Sequence, residues 1–390
     1  MKIAILTYWE SSDNYGQILQ CFALQRYLID CGYDTYLVKY SPREQQVSIF
    51  RKIGQGFKRI IGLSQIKKYV ALKKFQKEEY QLRTINEKQN VYRDFSNFRN
   101  HYIRSTEKIY YSINDLKNNP PEADLLICGS DQVWRDSLKI KNVAGWFLQF
   151  GNEKTRRISY AASVGRTIAN SEREIFSRYL SKFNAISVRE KATCEFCRQI
   201  GYDNTKLVCD PTLLLTGDYY KEIFEIPGCV DKNPYIFFYT LNILSKDEIA
   251  WDVIDKQRKR RKLAIKAVAS SGYYQARSII PGVENILATI PEWMTLILNA
   301  KYVVTTSFHG VVFSILFHKP FIAISLKGKY SDANNRIRDL LTELGLEACL
   351  CSDEEEIDSA FDSTINWETV EKKLEKYRER GIKFLERNIK

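Results

Sequence analysis

Short apolar runs alternate along this chain with longer segments in which apolar residues recur every three or four positions. The first run covers residues 2–8; after a polar turn at 11–14, a helical stripe covers 15–31 and Gly32 ends it. A second apolar run, 35–40, follows at once. This order of strand, helix and strand predicts a βαβ unit, and therefore a parallel sheet that helices cover on both faces.

The alternation continues in two series, which Pro227, Gly228 and Pro234 separate. Further strands are predicted at 124–128, 158–162, 185–188, 206–209, 235–240, 263–269, 302–305 and 321–325. Helices are predicted at 171–183, 191–200, 246–261, 291–300, 310–318, 335–344 and 367–388. We therefore predict an α/β fold with two Rossmann-like parallel-sheet domains facing a cleft, an N-terminal domain at 1–226 and a C-terminal domain at 227–362, followed by a C-terminal helix within 363–390.

The composition is that of a globular protein. Of the 390 residues 44% are hydrophobic, which excludes a disordered or low-complexity chain. No apolar run reaches the ~18 residues of a membrane span, and the N-terminus lacks the features of a signal peptide, so we expect a cytoplasmic protein. Most of the nine cysteines lie in apolar segments. The one CxxC, Cys194 and Cys197, falls in a predicted helix without a second pair, and we expect no metal site.

The positive charge is concentrated in one stretch. The chain carries a net charge of +12, and residues 51–77 hold nine basic and no acidic residues, interleaved with apolar ones. This pattern is typical of a surface that contacts anionic lipid at the inner face of the cell membrane or another polyanion, and a solvated helical excursion is the alternative. Little positive charge remains elsewhere, and no nucleic-acid-binding module surrounds the basic run 258–262, so we expect no nucleic acid as partner.

Ligands of such folds usually bind at the carboxyl ends of the strands, so the strand-to-helix turns hold the candidate residues. In the first turn, the start of a helix at Asn14, Tyr15 and Gly16 offers free N–H groups and close backbone approach to an anion or a sugar hydroxyl. An ordinary helix cap is the alternative interpretation.

A second turn follows the apolar strand that ends at residue 128. Gly129, Ser130 and Asp131 would deliver a hydroxyl and a carboxylate to the cleft edge, and Trp134 could stack on a sugar ring. The alternative is a turn with a capping Asp and a core Trp.

A cation ends a third strand. Arg189 directly follows an apolar run, where its planar guanidinium could bind a carboxylate or phosphate bidentately. Its neighbour Glu190 could instead form a local pair with it. The nearby segment 209–212, which contains Asp210, is interpreted as a structural turn between domains.

The fourth turn holds one of only three histidines. His309 lies where a strand becomes an apolar helix, between Ser307 and Gly310, and histidine suits proton transfer near neutral pH. A lone histidine is more often structural, and His101 and His318 are assigned to that class.

Taken together, seven motifs resemble the polysaccharide pyruvyl transferase family. They are NYGQILQCFALQRYL, LLICGSDQVW, ISYAASVG, ISVREKA, CDPTLLL, TTSFHGVVFSILFHKPF and NNRIRDLL. The resemblance runs from Met1 to about Leu344, and it is the order and spacing of the motifs that make it specific.

The resemblance implies a fold like the two-domain GT-B glycosyltransferases, with the acceptor on the N-terminal domain and the donor on the C-terminal domain. It implies transfer of the enolpyruvyl-derived group of phosphoenolpyruvate, a co-substrate rather than a cofactor, onto a hexose. The product would be a pyruvate ketal on a surface polysaccharide, as in exopolysaccharide or capsule biosynthesis, or on its lipid-linked precursor. In that reaction His309 would be the acid, Arg189 would hold the donor, the Asn14–Gly16 turn would assist, and Asp131 would act as base or hydroxyl anchor.

One position departs from the family pattern. Some members have an Arg two residues before the motif His, where this chain has Ser307. Arg336, Lys327 or Lys329 could supply the missing cation.

Two other functions remain open from the sequence. One is a nucleotide-sugar-dependent glycosyltransferase of the GT-B type, and the other is a non-catalytic protein that binds glycan or a membrane surface.

Overall fold

The structure is a computed structural model. It describes residues 1–42, 90–135, 143–228, 233–243, 245–269 and 279–390, with isolated positions between 81 and 88. The basic stretch 51–77, for which a surface role was predicted, lies outside the described residues.

The first sheet is parallel, with strand order β3-β2-β1-β4-β5. The central strand β1 places Ile3 between Thr35 of β2 and Leu125 of β4. After Lys2 at its start, β1 is apolar and buried, and β4 is apolar and buried throughout, because helices cover both faces of the sheet. The strands are Lys2–Leu6 (β1), Asp34–Tyr40 (β2), Ser105–Tyr110 (β3), Leu125–Cys128 (β4) and Arg156–Ser159 (β5).

Two short parallel strands, Ser187–Val188 (β6) and Lys206–Leu207 (β7), continue this sheet beyond β5. Isolated parallel bridges join Ile158 to Ala185 and Ala162 to Val188. The carboxyl ends of β4, β6 and β7 therefore open on the same edge.

The second sheet is also parallel, with strand order β12-β11-β10-β8-β9. Its strands are Tyr235–Thr240 (β8), Ala264–Ala269 (β9), Tyr302–Thr305 (β10), Phe321–Ile324 (β11) and Leu350–Cys351 (β12). The helices of the described residues are Tyr15–Asp30 (α1), Phe95–Tyr102 (α2), Ile113–Asn118 (α3), Arg173–Leu180 (α4), Lys191–Gln199 (α5), Gly217–Ile223 (α6), Trp251–Arg260 (α7), Ile290–Leu298 (α8), Phe308–Leu316 (α9), Asn334–Leu344 (α10), Glu354–Ala360 (α11) and Trp367–Ile389 (α12).

Helices α1 and α9 lie between the two sheets. Every residue of α9 is buried, as expected for a helix that is apolar on all sides. At the start of α1 the ring of Tyr15 stacks on Trp293 of α8 with 5.1 Å between centroids. The Tyr15 hydroxyl donates to the carbonyl of Ala288 at 2.6 Å. The two sheets thus share one hydrophobic core, which includes residues of β1, α1, β10 and α9.

The C-terminal helix α12 packs back on both parts of the chain. The hydroxyl of Tyr377 donates to the carbonyl of Val208 at 3.2 Å, and Arg378 donates to the carbonyl of Leu213 at 2.6 Å. On the other side Arg380 pairs with Glu343 of α10 at 2.5 Å. Within the described ranges, no helix is both long and apolar enough to cross a membrane.

The predicted α/β class, with two parallel sheets and a C-terminal helix, is confirmed. Several predicted elements are shorter than expected, and in two of them a residue with a left-handed backbone interrupts the element. Ala161, at φ 53°, follows the end of β5, and Ala250, at φ 50°, divides the predicted helix 246–261 into a short 3-10 turn and α7.

Candidate functional site

Polar side chains from four strand ends meet where the two sheets face each other. Ser130 follows β4, Arg189 follows β6, Asp210 follows β7, and His309 lies in the first turn of α9 after β10. All four residues are at least 93% buried, and Asp210 is 1% exposed. The site therefore combines three residues of the first sheet with one of the second.

Asp210 contacts the other three. Its Oδ2 accepts from Nη1 of Arg189 at 2.5 Å and from the hydroxyl of Ser130 at 3.1 Å. Its Oδ1 accepts from the backbone N–H and the hydroxyl of Thr212 at 3.0 and 2.7 Å. The same Oδ1 lies 3.6 Å from Nε2 of His309, an ion-pair distance rather than a hydrogen bond.

The carboxyl of Asp210 is ionised at neutral pH. Burial acts to raise its pKa, but His309, Arg189 and Thr212 together outweigh burial and hold that pKa well below its usual range. The site thus contains a fixed negative charge.

His309 is held on one side and unpartnered on the other. A Cβ at Gly16 of α1 would overlap the imidazole at Nδ1, so α1 packs directly on the ring. Nε2 is buried and has no hydrogen-bond partner among the described residues. The ring therefore presents Nε2 to the same space as Asp210.

Arg189 keeps one edge of its guanidinium unbonded. Nη1 binds Asp210, while Nε and Nη2 are buried without a hydrogen-bond partner among the described residues. Nε and Nη2 form the edge with which an arginine binds a carboxylate or phosphate through two parallel bonds. The guanidinium carbon lies 4.8 Å from the ring centroid of Phe308, at cation–π distance. Burial acts to lower the pKa of Arg189, but Asp210, Glu190 and Asp131 outweigh burial and raise it.

The alternative pairing of Arg189 with Glu190 is not what the structure has. Glu190 accepts from the hydroxyl of Ser163, from the N–H of Val164 at 3.3 Å and from the hydroxyl of Thr193 at 3.0 Å. These donors hold the carboxylate in place beside, rather than on, the guanidinium.

A second arginine approaches the same phenylalanine. The guanidinium carbon of Arg336 lies 5.9 Å from the Phe308 centroid, and its Nε is buried without a partner in the described part of the chain. Burial, and then the charge of Arg189, lower the pKa of Arg336 to about 10. Of the other two cations considered for this place, Lys327 is exposed, and the side chain of Lys329 lies outside the described residues.

Arg336 also lines a polar cavity of about 230 Å³. The other lining residues come from both parts of the chain: Gln132, Arg135, Asn242, Tyr330, Asp332 and Ala333. A larger cavity, of about 670 Å³, lies between β7 and α12, away from His309 and Arg189.

Asp131 lies at the edge of this group. Its backbone is left-handed, at φ 74°, and its Oδ1 accepts from the N–H of Gln132 at 2.8 Å. Its charge acts on the pKa of both Arg189 and Arg336, which places it near the two guanidiniums.

Two of the candidate aromatic residues are packed as core side chains. Tyr15 is fully buried between α1 and α8. Trp134 is also fully buried, stacked on Phe147 at 5.0 Å between centroids, and offers no face to a sugar. Both rings are large enough that burying them in the core is strongly favourable.

Several candidate turn residues shape the backbone. Asn14 caps α1 by accepting from the N–H of Gln17 at 3.2 Å, and Ser307 caps α9 by accepting from the N–H of Gly310 at 3.3 Å. A Cβ at Gly310 would overlap Thr305, and one at Gly129 would lie 2.9 Å from the Cβ of Thr7. These residues fix the backbone at the starts of α1 and α9 and after β4.

Asp210 is the site residue that the sequence interpretation missed. The sequence interpretation assigns it to a structural turn, and it does cap the short 3-10 turn that follows it. The signal that could have found it is the one used for Arg189, a charged residue directly after an apolar strand.

The CxxC cysteines lie away from this site. They are buried in α5, where burial raises the pKa of Cys197 to about 12. Among the described residues, no group of His, Cys, Asp and Glu side chains is arranged to hold a metal ion.

Solved structures of low sequence identity are similar to this chain. The UDP-GlcNAc 2-epimerase of Methanocaldococcus jannaschii is 11% identical, over 94% of this chain and 93% of its own, with a TM-score of 0.48. The UDP-GlcNAc 2-epimerase of Neisseria meningitidis, bound to UDP-GlcNAc, is 10% identical, over 96% of this chain and 94% of its own, with a TM-score of 0.46. The calicheamicin glycosyltransferase CalG4 is 10% identical, over 97% of this chain and 94% of its own, with a TM-score of 0.46. These likenesses carry no argument about activity.

Among curated proteins, no sequence matches the chain. A family model does match, over residues 14–328, and its description is Polysaccharide pyruvyl transferase. The matched range contains Arg189, Asp210 and His309. Because the match covers more than half of the chain, the protein belongs to the polysaccharide pyruvyl transferase family.

Proposed function

We propose that the protein transfers the enolpyruvyl-derived group of phosphoenolpyruvate to a hexose and forms a pyruvate ketal. The observation that carries this proposal is the unbonded Nε–Nη2 edge of Arg189, buried in the same site as His309. A small donor with two anionic groups and a carbon that must be protonated needs this combination of a bidentate cation and an acid.

The proposed reaction begins with protonation of the donor. His309 gives its Nε2 proton to the methylene carbon, which becomes the methyl group, and one sugar hydroxyl attacks the neighbouring carbon. The bond from that carbon to the phosphate oxygen then breaks, and a second hydroxyl closes the ring. One of the two hydroxyl protons restores His309 and the other leaves with the phosphate, so that atoms and charges balance.

Two arginines suit the two anionic groups of the donor. Arg189 would bind the carboxylate or the phosphate through Nε and Nη2, and Arg336, 5.9 Å from the Phe308 ring, would bind the other group. Arg336 would thereby supply the cation that the family pattern has at the position of Ser307. The low pKa of Arg336 supports this role, since an anion bound beside it would offset the repulsion from Arg189.

The acceptor would be a hexose of a surface polysaccharide or of its lipid-linked precursor, bound where Asp131 can accept a hydroxyl proton. Gly129 and Ser130 would shape that edge, and the helix start at Asn14 and Gly16 would assist. Phosphoenolpyruvate would be a co-substrate, with no cofactor involved.

For the basic stretch 51–77 the proposal is peripheral contact with an anionic membrane. Neutralising Lys67, Lys68, Lys73 and Lys74 should then reduce sedimentation of the protein with anionic vesicles, and unchanged sedimentation would reject this contact.

The test of the proposed function is phosphate release from phosphoenolpyruvate that depends on an added hexose glycan, with the ketal methyl group followed by NMR. His309→Ala is expected to lower the rate by about 10²- to 10⁴-fold while the fold is retained. His318→Ala, at an exposed histidine paired with Glu371, is the matched control and should keep full activity. Full turnover by His309→Ala would reject the assignment, and binding of a nucleotide sugar in place of phosphoenolpyruvate would reject the donor.

A further inference from the structure

We propose that Asp210 is a positioning residue that holds the acid His309 and the donor-binding Arg189 in one geometry across the cleft. This inference rests on the proposed function, because it assigns to Asp210 a part in the same reaction. Asp210 would act through these two residues and would not itself bind the donor or the acceptor.

The two oxygens of Asp210 have separate partners. Oδ2 binds Nη1 of Arg189 at 2.5 Å, which leaves Nε and Nη2 of the guanidinium directed away from the carboxylate. Oδ1 lies 3.6 Å from Nε2 of His309. The Asp210 carboxylate therefore orients the free Nε–Nη2 edge of Arg189 and also faces Nε2 of His309, the nitrogen that would give up its proton.

Asp210 is itself held rigidly. Thr212 donates twice to Oδ1, and Ser130 donates to Oδ2. A fully buried carboxylate is costly unless charges and hydrogen bonds compensate it, and here they do so from both sheets. Because Asp210 follows β7 of the first sheet and His309 follows β10 of the second, their contact forms only when the two sheets are packed together.

The ionised carboxylate places a fixed negative charge opposite Nε2 of the imidazole. The other charged groups around the ring are arginines and more distant carboxylates: Arg189 is already paired with Asp210, Arg336 lies beyond Phe308, and Glu190 and Asp131 act on the two guanidiniums. On the side of α1 the ring meets Gly16, which has no charge. Asp210 is thus the carboxylate that faces His309 among the described residues.

The test is Asp210→Asn, which keeps the shape of the side chain and removes its charge. We expect kcat to fall by about 10²- to 10⁴-fold and the KM for phosphoenolpyruvate to rise at the same time, because His309 and Arg189 both lose the group that orients them. Asp210→Glu, which keeps the charge, should recover part of both losses. A folded Asp210→Asn protein with unchanged kcat and KM would overturn the proposal.

The control separates a positioning role from the loss of any ion pair. Asp255 of α7, whose side chain is 19% exposed, pairs with Arg258 and Lys259 at 2.7 Å. Asp255→Asn should lower the melting temperature and leave kcat and KM unchanged. If it lowers kcat as Asp210→Asn does, the effect is not specific to Asp210 and the proposal fails.

A second measurement does not depend on turnover. In protein labelled with ¹⁵N-histidine, the ring signals of His309 can be assigned by their loss in His309→Gln, and they should shift in Asp210→Asn while those of His318 stay in place. If phosphoenolpyruvate is not a substrate but the His309 signals shift, the proposed donor is wrong and the role of Asp210 stands. If turnover is found and neither the His309 signals nor kcat and KM change, the role of Asp210 is rejected alone.

Discussion

The imidazole of His309 lies directly against Gly16, with no room between them for a Cβ. Gly16 is the second residue of α1 in the first half of the chain, and His309 is the second residue of α9 in the other half. The absence of a side chain at one position therefore fixes the place of the histidine at the other.

Replacing Gly16 by Ala should displace the His309 ring. The new methyl group would overlap Nδ1, and relieving such overlap costs about 1–3 kcal/mol of unfolding free energy. We expect kcat to fall at least about tenfold, because small misplacements of a reacting group lower rates strongly. Gly228→Ala, at a glycine with open space around it, is the control and should change neither value. A Gly16→Ala enzyme with wild-type kcat would show that the ring has room to move.

Replacing Arg189 by Lys should weaken the binding of phosphoenolpyruvate. Its single ammonium could keep the bond to Asp210 but could not also offer a bidentate edge to an anion. We expect the KM for phosphoenolpyruvate to rise by about 10- to 100-fold, as for the loss of a hydrogen bond to a charged group. Arg173→Lys, where a partly exposed guanidinium donates to the carbonyl of Gln199, should have no effect on KM. An unchanged KM in Arg189→Lys would remove this residue from donor binding.

Arg336→Met is predicted to act in opposite directions on stability and on donor binding. Burial and Arg189 disfavour the charged guanidinium in the folded protein, so a neutral side chain of similar length should raise the unfolding free energy by about 1 kcal/mol or more. The same variant should bind phosphoenolpyruvate at least about tenfold more weakly. Denaturant unfolding and calorimetry measure the two effects. A variant that is both less stable and unimpaired in binding would contradict the assignment.

The ionisation of Asp210 should appear in acid unfolding. Because its pKa is lower in the folded protein than in the unfolded chain, its contribution is complete above the unfolded value of about 3.9 and is lost as the pH falls below that value. The slope of unfolding free energy against pH between about pH 4 and 2 should therefore be smaller in Asp210→Asn, by up to about 1.4 kcal/mol per pH unit. Equal slopes would show that the carboxyl pKa is not depressed.

The elements predicted from the sequence were those with a strong apolar pattern. The apolar runs that form β1, β8 and β10 are mostly buried, and their apolar pattern was sufficient to predict them as strands. The strand β3 was missed because it forms the exposed edge of the first sheet, and only Tyr110 of its residues is buried. An edge strand with polar side chains leaves no apolar alternation to detect.

The candidate site was predictable residue by residue only in part. Arg189 and His309 follow apolar strands, and their chemistry was evident from the sequence. Asp210 follows a strand too, but its importance depends on contacts with residues 21 positions before it and 99 positions after it, which only the packing of the two sheets brings together. Trp134 follows a strand as well, but its position in the sequence does not distinguish a buried indole from one that contacts a ligand.

The shared core around α1 and α9 has a consequence for how the molecule melts. Because Tyr15 stacks on Trp293 and one apolar cluster includes residues of both sheets, either sheet would expose that shared cluster if the other came apart. The described parts of the chain should therefore unfold in a single cooperative transition, with coincident changes in near-ultraviolet and far-ultraviolet circular dichroism. A destabilising substitution on the outer side of either sheet would then lower activity by reducing the fraction of folded protein. It would not need any contact with His309.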